Sequence, residues 1–129
     1  MIPVNLGDNM QLKNLKPVAA VTTSTVSSAL DLNGLEGEIA VLLDVSAPVA
    51  GTTPGLACKI TECDTSGGSY TDVSGGGFTA VADSASAQKL SLNKDALKRY
   101  IKLDYTISGT DSPQYLVSAK VVGLSKYAS

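Results

Sequence analysis

Apolar and polar positions alternate with a period of two along most of the chain. In Glu38–Val45, Ile39, Val41, Leu43 and Val45 share one face, while Glu38 and Asp44 take the other. Leu42 interrupts this order and predicts partial cover on the second face. Leu56, Cys58 and Ile60 alternate with Ala57, Lys59 and Thr61. In Leu97–Ile107, Leu97, Ile101, Leu103, Tyr105 and Ile107 oppose Lys98, Lys102, Asp104 and Thr106, with Tyr100 among the latter. Tyr115, Val117, Ala119 and Val121 alternate with Gln114, Ser118 and Lys120. Successive side chains of a strand point to opposite faces, so each run predicts a half-buried strand. Shorter β-type runs fall at Val18–Val26, Leu30–Leu32, Tyr70–Val73, Phe78–Val81 and Leu90–Leu92.

The punctuation between runs is turn chemistry. Asn33-Gly34 is a strong hairpin signal, because both residues tolerate positive φ. Residues 46–55 (SAPVAGTTPG) read as a loop, and 64–69, 75–77, 93–95 and 108–113 as turns. The last of these predicts a terminal hairpin of Leu97–Ile107 with Tyr115–Val121. A single helical turn is predicted near Asp83–Lys89. Seven or eight short strands at fairly regular spacing predict an all-β fold, an antiparallel β-sandwich of jelly-roll type, at residues 18–129.

Residues 1–17 differ in texture. Ile2, Val4, Leu6, Met10, Leu12 and Leu15 are scattered among Asn, Asp, Lys and Gly, bracketed by Pro3 and Pro17. This predicts an extended N-terminal arm whose apolar side chains need another surface; the alternative is a frayed terminus. Those six residues are the candidate partner contacts.

Composition narrows the possibilities. A chain of 129 residues fits one domain, and with no Trp and one Phe its core must be aliphatic, helped by Tyr. No apolar run approaches the ~20 residues of a membrane helix. The N-terminus has neither the basic start nor the apolar stretch of a secretory signal. Both point to synthesis in a cytoplasm without membrane association. The net charge is −2, with eight acids and one lysine in 31–83 but seven basic residues and three acids in 84–129. That division argues against a continuous basic track for nucleic acid. It allows either complementary patches between neighbouring subunits or an ordinary mixed surface.

Candidate chemistry is sparse. Without histidine, the Ser–His–Asp and Cys–His arrangements are impossible. Ser86–Lys89 and Ser91–Lys94 match Ser-x-x-Lys, but in a strand residues three apart face opposite ways. The glycines at 67–68 and 75–77 precede no Gly-Lys-Ser/Thr and no long helix, so they do not form a phosphate loop. Asp64 and Asp72 flank a turn without calcium-loop spacing. Cys58 and Cys63 would lie on opposite faces of a strand, unable to form a local disulfide, one buried and one at a strand end. Tyr70, Tyr100, Tyr115 and Tyr127 are the candidates for a sugar-stacking platform, with Tyr115 on a core face. No catalytic, cofactor or metal residue is expected, and no small-molecule substrate.

Several stretches together suggest a family. Asp31–Val45 (DLNGLEGEIAVLLDV), Ile60–Val73 (ITECDTSGGSYTDV), Gly77–Val81 (GFTAV), Lys98–Thr110 (KRYIKLDYTISGT) and the alternating Val117–Gly123 tail occur in this order. Over roughly residues 18–124 the chain resembles the capsid decoration proteins (cement or auxiliary head proteins) of tailed bacteriophages. The resemblance implies a jelly-roll-like virion protein on the capsid exterior. It would act as a dimer or trimer and bridge subunits of the major capsid protein. It carries no catalytic signature. Two other readings are open: another virion component, such as a head-fibre base or tail protein, and a carbohydrate-binding β-sandwich module.

Overall fold

The computed structural model describes residues 10–125. They form an antiparallel β-sandwich of jelly-roll type, with strands β1 Met10–Val21, β2 Thr25–Val26, β3 Leu30–Asp31, β4 Leu35–Val45, β5 Ala50–Cys63, β6 Thr71–Gly77, β7 Ser86–Asn93 and β8 Tyr100–Ser125. A single 3-10 turn at Lys94–Ala96 precedes β8, capped by Asn93 Oδ1, which accepts from the Asp95 N–H at 3.0 Å.

The architecture follows from one long ribbon. β4 and β5 together run antiparallel to the whole of β8, from Leu35 opposite Ser125 to Cys63 opposite Tyr100. The ribbon bends midway and its two halves fall into two sheets. Sheet A has the order β1, β8 (C-terminal half), β4, β7. Sheet B has β2 and β3 end to end, then β8 (N-terminal half), β5 and β6. At the bend Gly51 (φ 110) and Gly109 (φ 116) take backbone conformations that L side chains avoid. Register shifts on β5 between Ala50, Thr52 and Gly55 absorb the curvature.

The inward faces are the aliphatic positions expected from the alternation. Ile39, Val41, Leu43, Val45, Val117, Ala119 and Val121 of sheet A meet Leu56, Ile60, Ile101 and Leu103 of sheet B in one core, each at most 2% exposed. Tyr115 is also fully buried, and its hydroxyl donates to the Ala82 carbonyl at 2.8 Å. A buried Tyr needs such a partner to offset desolvation.

Serines repair gaps in the ladders, where a strand would otherwise leave backbone groups unmet. Ser27 N–H donates to Leu103 O and its Oγ accepts from Leu103 N–H, at 2.8 and 2.9 Å. Ser46 does the same for Leu116, at 2.9 and 3.0 Å. The Gln88 side chain bonds both backbone groups of Thr79 at 2.8 Å, tying the segment after β6 to β7 and nearly closing that end of the sandwich.

Five expectations are corrected. The terminal hairpin does not form: its two halves are one strand in two sheets, because each finds a better partner in β4 or β5. Asn33-Gly34 is a crossing between sheets, since β3 and β4 pair with different halves of β8. There Asp31 Oδ1 accepts the Asn33 N–H at 2.9 Å, an Asx turn, and only Gly34 has positive φ. Residues 50–55 belong to β5 and not to a loop. Ser86–Lys89 opens β7 instead of a helical turn, held by pairing to Asp44 and Val45. Phe78–Val81 is not a strand: Val81 makes an isolated bridge to Leu56, and the Phe78 N–H donates to Cys58 O at 3.0 Å.

Asp31 also anchors the crossing through Arg99, whose Nε and Nη2 donate to its two carboxylate oxygens at 3.0 and 2.9 Å. The guanidinium hydrogen bond is the main reason its carboxyl lies below the ordinary 3.8. A carboxyl lowered in the folded state stabilises the fold above its unfolded value and loses that contribution as pH falls through the folded value. Asp31→Asn is therefore expected to lower the urea midpoint slightly at pH 7. The effect is small because the pair is exposed and screened. The gap between variant and native chain should close as the solution is acidified below both values.

Candidate functional site

Among the described residues, no group of three or more His, Cys, Asp or Glu side chains is placed to hold a metal ion. Asp72 is engaged by Lys59 at 2.9 Å. Ser86 and Lys89, and Ser91 and Lys94, are not brought into the overlay that a helix would produce: β7 carries the first pair and splits from the 3-10 turn within the second.

The described tyrosines are committed elsewhere. Tyr115 is in the core. Tyr70 and Tyr100 are half-buried on the outer face of sheet B, next to Lys102 Nζ (4.4 Å from the Tyr70 ring centre) and the Arg99 guanidinium (5.2 Å from that of Tyr100). Tyr70 hydroxyl donates to Ser66 O at 2.8 Å. Tyr105 is 7% exposed, with Lys16 Nζ 5.5 Å above its ring. Tyr127 lies outside the described residues.

Both cysteines are free and buried. They differ in chemistry. Burial pushes the Cys58 thiol up to about 11. The Thr65 backbone N–H, at the end of β5, holds the Cys63 thiol below its ordinary value against the opposing effect of burial. Because the thiolate is the nucleophile, iodoacetamide at mildly alkaline pH is expected to label Cys63 first and Cys58 only on unfolding. Peptide mass spectrometry over time reads this directly.

What remains is surface. Of the six arm residues, Ile2, Val4 and Leu6 lie outside the described residues. From Met10 onward the segment is β1, paired to β8. Leu15 is 2% exposed and packs into this domain's own core, whereas Met10 and Leu12 are 42% and 63% exposed. The latter two share the outer face of sheet A with Leu42 and Leu124, while Val18, Val49 and Leu116 are exposed near the ribbon bend. A shallow groove on the same face is lined by Met10, Glu38, Ala40, Lys89, Val122 and Leu124. Exposed apolar clusters of this kind mark interaction surfaces more often than scattered single residues do. The alternation of β4 hinted at this, since Leu42 broke it; β1 carried no such signal.

No protein-family model matches the chain, and neither does any of the curated proteins compared with it. Solved structures do share its fold. The SPBc2 prophage-derived protein YomS superposes with a TM-score of 0.56 at 14% identity, covering 91% of this chain and 94% of YomS. A chain of the infectious bursal disease virus Gt strain structure gives 0.55 at 13% identity, covering 92% of this chain and 34% of the other. The PBSX exported protein XepA gives 0.53 at 15% identity, covering 98% of this chain and 41% of XepA. The chain thus spans about a third of the viral protein and nearly all of YomS.

Proposed function

We propose that this chain is a structural virion protein of a tailed phage, which binds the outer surface of the head and stabilises it by bridging major capsid protein subunits. The observation that carries the reading is the end-to-end likeness in fold to a prophage-derived protein of the same extent. The likeness to the chain of a viral particle and the ordered stretches 31–45, 60–73 and 98–110 support it. The chain works by binding and not by chemistry, on the virion exterior, after synthesis in the bacterial cytoplasm.

The physics suits such a role. A clamp across a subunit junction binds only the assembled shell and so stabilises that state by mass action. Several contacts per molecule, or several copies per site in a dimer or trimer, multiply the effect through effective concentration. Ile2, Val4 and Leu6, continuing into Met10 and Leu12, would supply apolar contacts to the neighbour, with Leu15 anchoring the segment in the sandwich.

The test is co-sedimentation of the purified chain with mature, DNA-filled heads and with unexpanded procapsids of its source phage. Saturable binding to mature heads at a fixed ratio to the major capsid protein supports the reading. Binding to neither particle discards it and favours a tail or fibre component. Deletion of residues 1–9 is expected to weaken head binding; unchanged binding removes the arm from the contact.

A further inference from the structure

The crossing from β3 to β4 is a tight turn, Leu32-Asn33-Gly34-Leu35, set between two fully buried leucines. The Leu35 N–H donates to Leu32 O at 3.2 Å, and Gly34 holds the third position at φ 97, where glycine is favoured. Asn33 is exposed. Among the described residues its carboxamide has no hydrogen-bond partner, and nothing accepts from the Gly34 N–H. A Cβ at Gly34 would meet nothing within 4 Å, so its nitrogen is open to approach. The peptide group joining the two residues is polarised as well. Lys13 Nζ donates to Asn33 O at 3.2 Å and to Asp31 O at 3.0 Å. An ammonium on that oxygen draws electrons from the peptide and makes its N–H more acidic. The neighbouring Asp31 carboxylate opposes this little, because Arg99 and the Asn33 N–H already hold it.

The geometry points to Asn33 as a site of self-modification, at which the Gly34 backbone nitrogen closes on the Asn33 side chain and expels ammonia. Hydroxide removes the Gly34 N–H proton. The nitrogen then adds to Asn33 Cγ, the new N–C bond forms, the bond from Cγ to the amide nitrogen breaks, and that nitrogen leaves as ammonia with a proton from water. Water opens the resulting five-membered imide at either carbonyl, giving an aspartyl or an isoaspartyl link. Rotation of Asn33 toward the attacking nitrogen gives up the Leu35–Leu32 hydrogen bond of the turn and leaves the Asp31–Asn33 bond in place. The other described asparagines lack these features. Asn14 Oδ1 accepts from Lys120 Nζ and Asn93 Oδ1 from the Asp95 N–H, and the residues that follow them, Leu15 and Lys94, carry side chains that crowd the attack. The isoaspartyl product routes the main chain through Cβ, adding one carbon to a crossing whose ends are fixed by buried Leu32 and Leu35. It also sets a new carboxylate beside Lys13. The reaction needs only water and the folded chain, and so stands apart from the capsid reading.

Prolonged incubation of the full chain at mildly alkaline pH, below its melting temperature, tests it. Peptide mass spectrometry follows each asparagine, and labelling by an isoaspartyl methyltransferase identifies the link formed. Asn33 is expected to react faster than Asn14 or Asn93 by roughly tenfold or more, and to yield isoaspartyl product. Lys13→Met should slow the reaction by roughly two- to fivefold, the scale of an exposed charge-assisted contact, while Lys13→Arg keeps the native rate. Equal melting temperatures of the two variants show that the fold is not the cause. The isoaspartyl form, once separated, should unfold at lower urea than Asn33→Asp, which carries the same charge on an ordinary main chain. An Asn33 that stays intact while Asn14 or Asn93 reacts overturns the proposal. So does a product that is wholly aspartyl, since direct hydrolysis of the side chain would then be the route. A native rate in Lys13→Met overturns the part given to Lys13.

Discussion

Leu103→Ala is expected to cost about 2–5 kcal/mol and to move the urea midpoint down by roughly 1–3 M. Leu103 is fully buried on β8, opposite Ile60, where the N-terminal half of the ribbon packs against sheet A. The loss is the transfer free energy of the missing methyl groups plus that of the cavity, since two hydrogen-bonded sheets relax poorly into a gap. Domains of this kind have about 5–15 kcal/mol of total stability, so the variant would be near its limit. Thr106→Ala, three residues on and exposed, is the control, expected to change stability by no more than about 0.5 kcal/mol. Far-UV circular dichroism through a urea titration measures both, as the chain lacks Trp.

The ribbon bend should be comparably sensitive for a different reason. A Cβ at Gly109 would stand 2.9 Å from Pro54 Cα and Thr53 O and 3.0 Å from Thr52 O, all backbone atoms that no rotamer change can move. At Gly51 a Cβ would come within 2.6 Å of Pro113 Cα. Positive φ adds conformational strain of about 1–3 kcal/mol to that overlap. Gly109→Val is expected to lose about 3 kcal/mol or more, and Gly51→Val a similar amount. Gly77→Ala, with nothing within 4 Å of its Cβ, should be neutral or slightly stabilising. If Gly109→Val melts like the native chain, the bend is adjustable and the two sheets are not held by it.

The strands were legible in the sequence wherever one face is buried and the other wet. Ile39 to Val45, Leu56 to Ile60, Ile101 to Tyr105 and Tyr115 to Val121 all face the core as their alternation predicts. Pairing was not legible, because it depends on partners far away along the chain. Leu97–Ile107 and Tyr115–Val121 sit either side of a turn-rich stretch, and a hairpin is the local solution. The long ladder with β4 and β5 overrides it and drives Asp111 and Ser112 to positive φ. The same ladder carries Pro54 inside β5, where a register shift spares the missing N–H. The surface was half legible: Leu42 stood out of pattern, but the irregular spacing of Met10, Leu12 and Leu15 came from β-bulges between Asn14 and Ala19, and read as an arm.

The position of β8 in both sheets bears on how the chain is made. Every other strand except β6 and β7 hydrogen-bonds to it directly, and it is the last described element to leave the ribosome. Neither sheet has its central strand until then, so the earlier segments emerge with their edges unpaired and their aliphatic faces wet. Neither sheet can close before β8 has emerged, and the long-range contacts that close them form slowly. Its vulnerability to aggregation is therefore greatest in the interval before the 26 residues of β8 are in place.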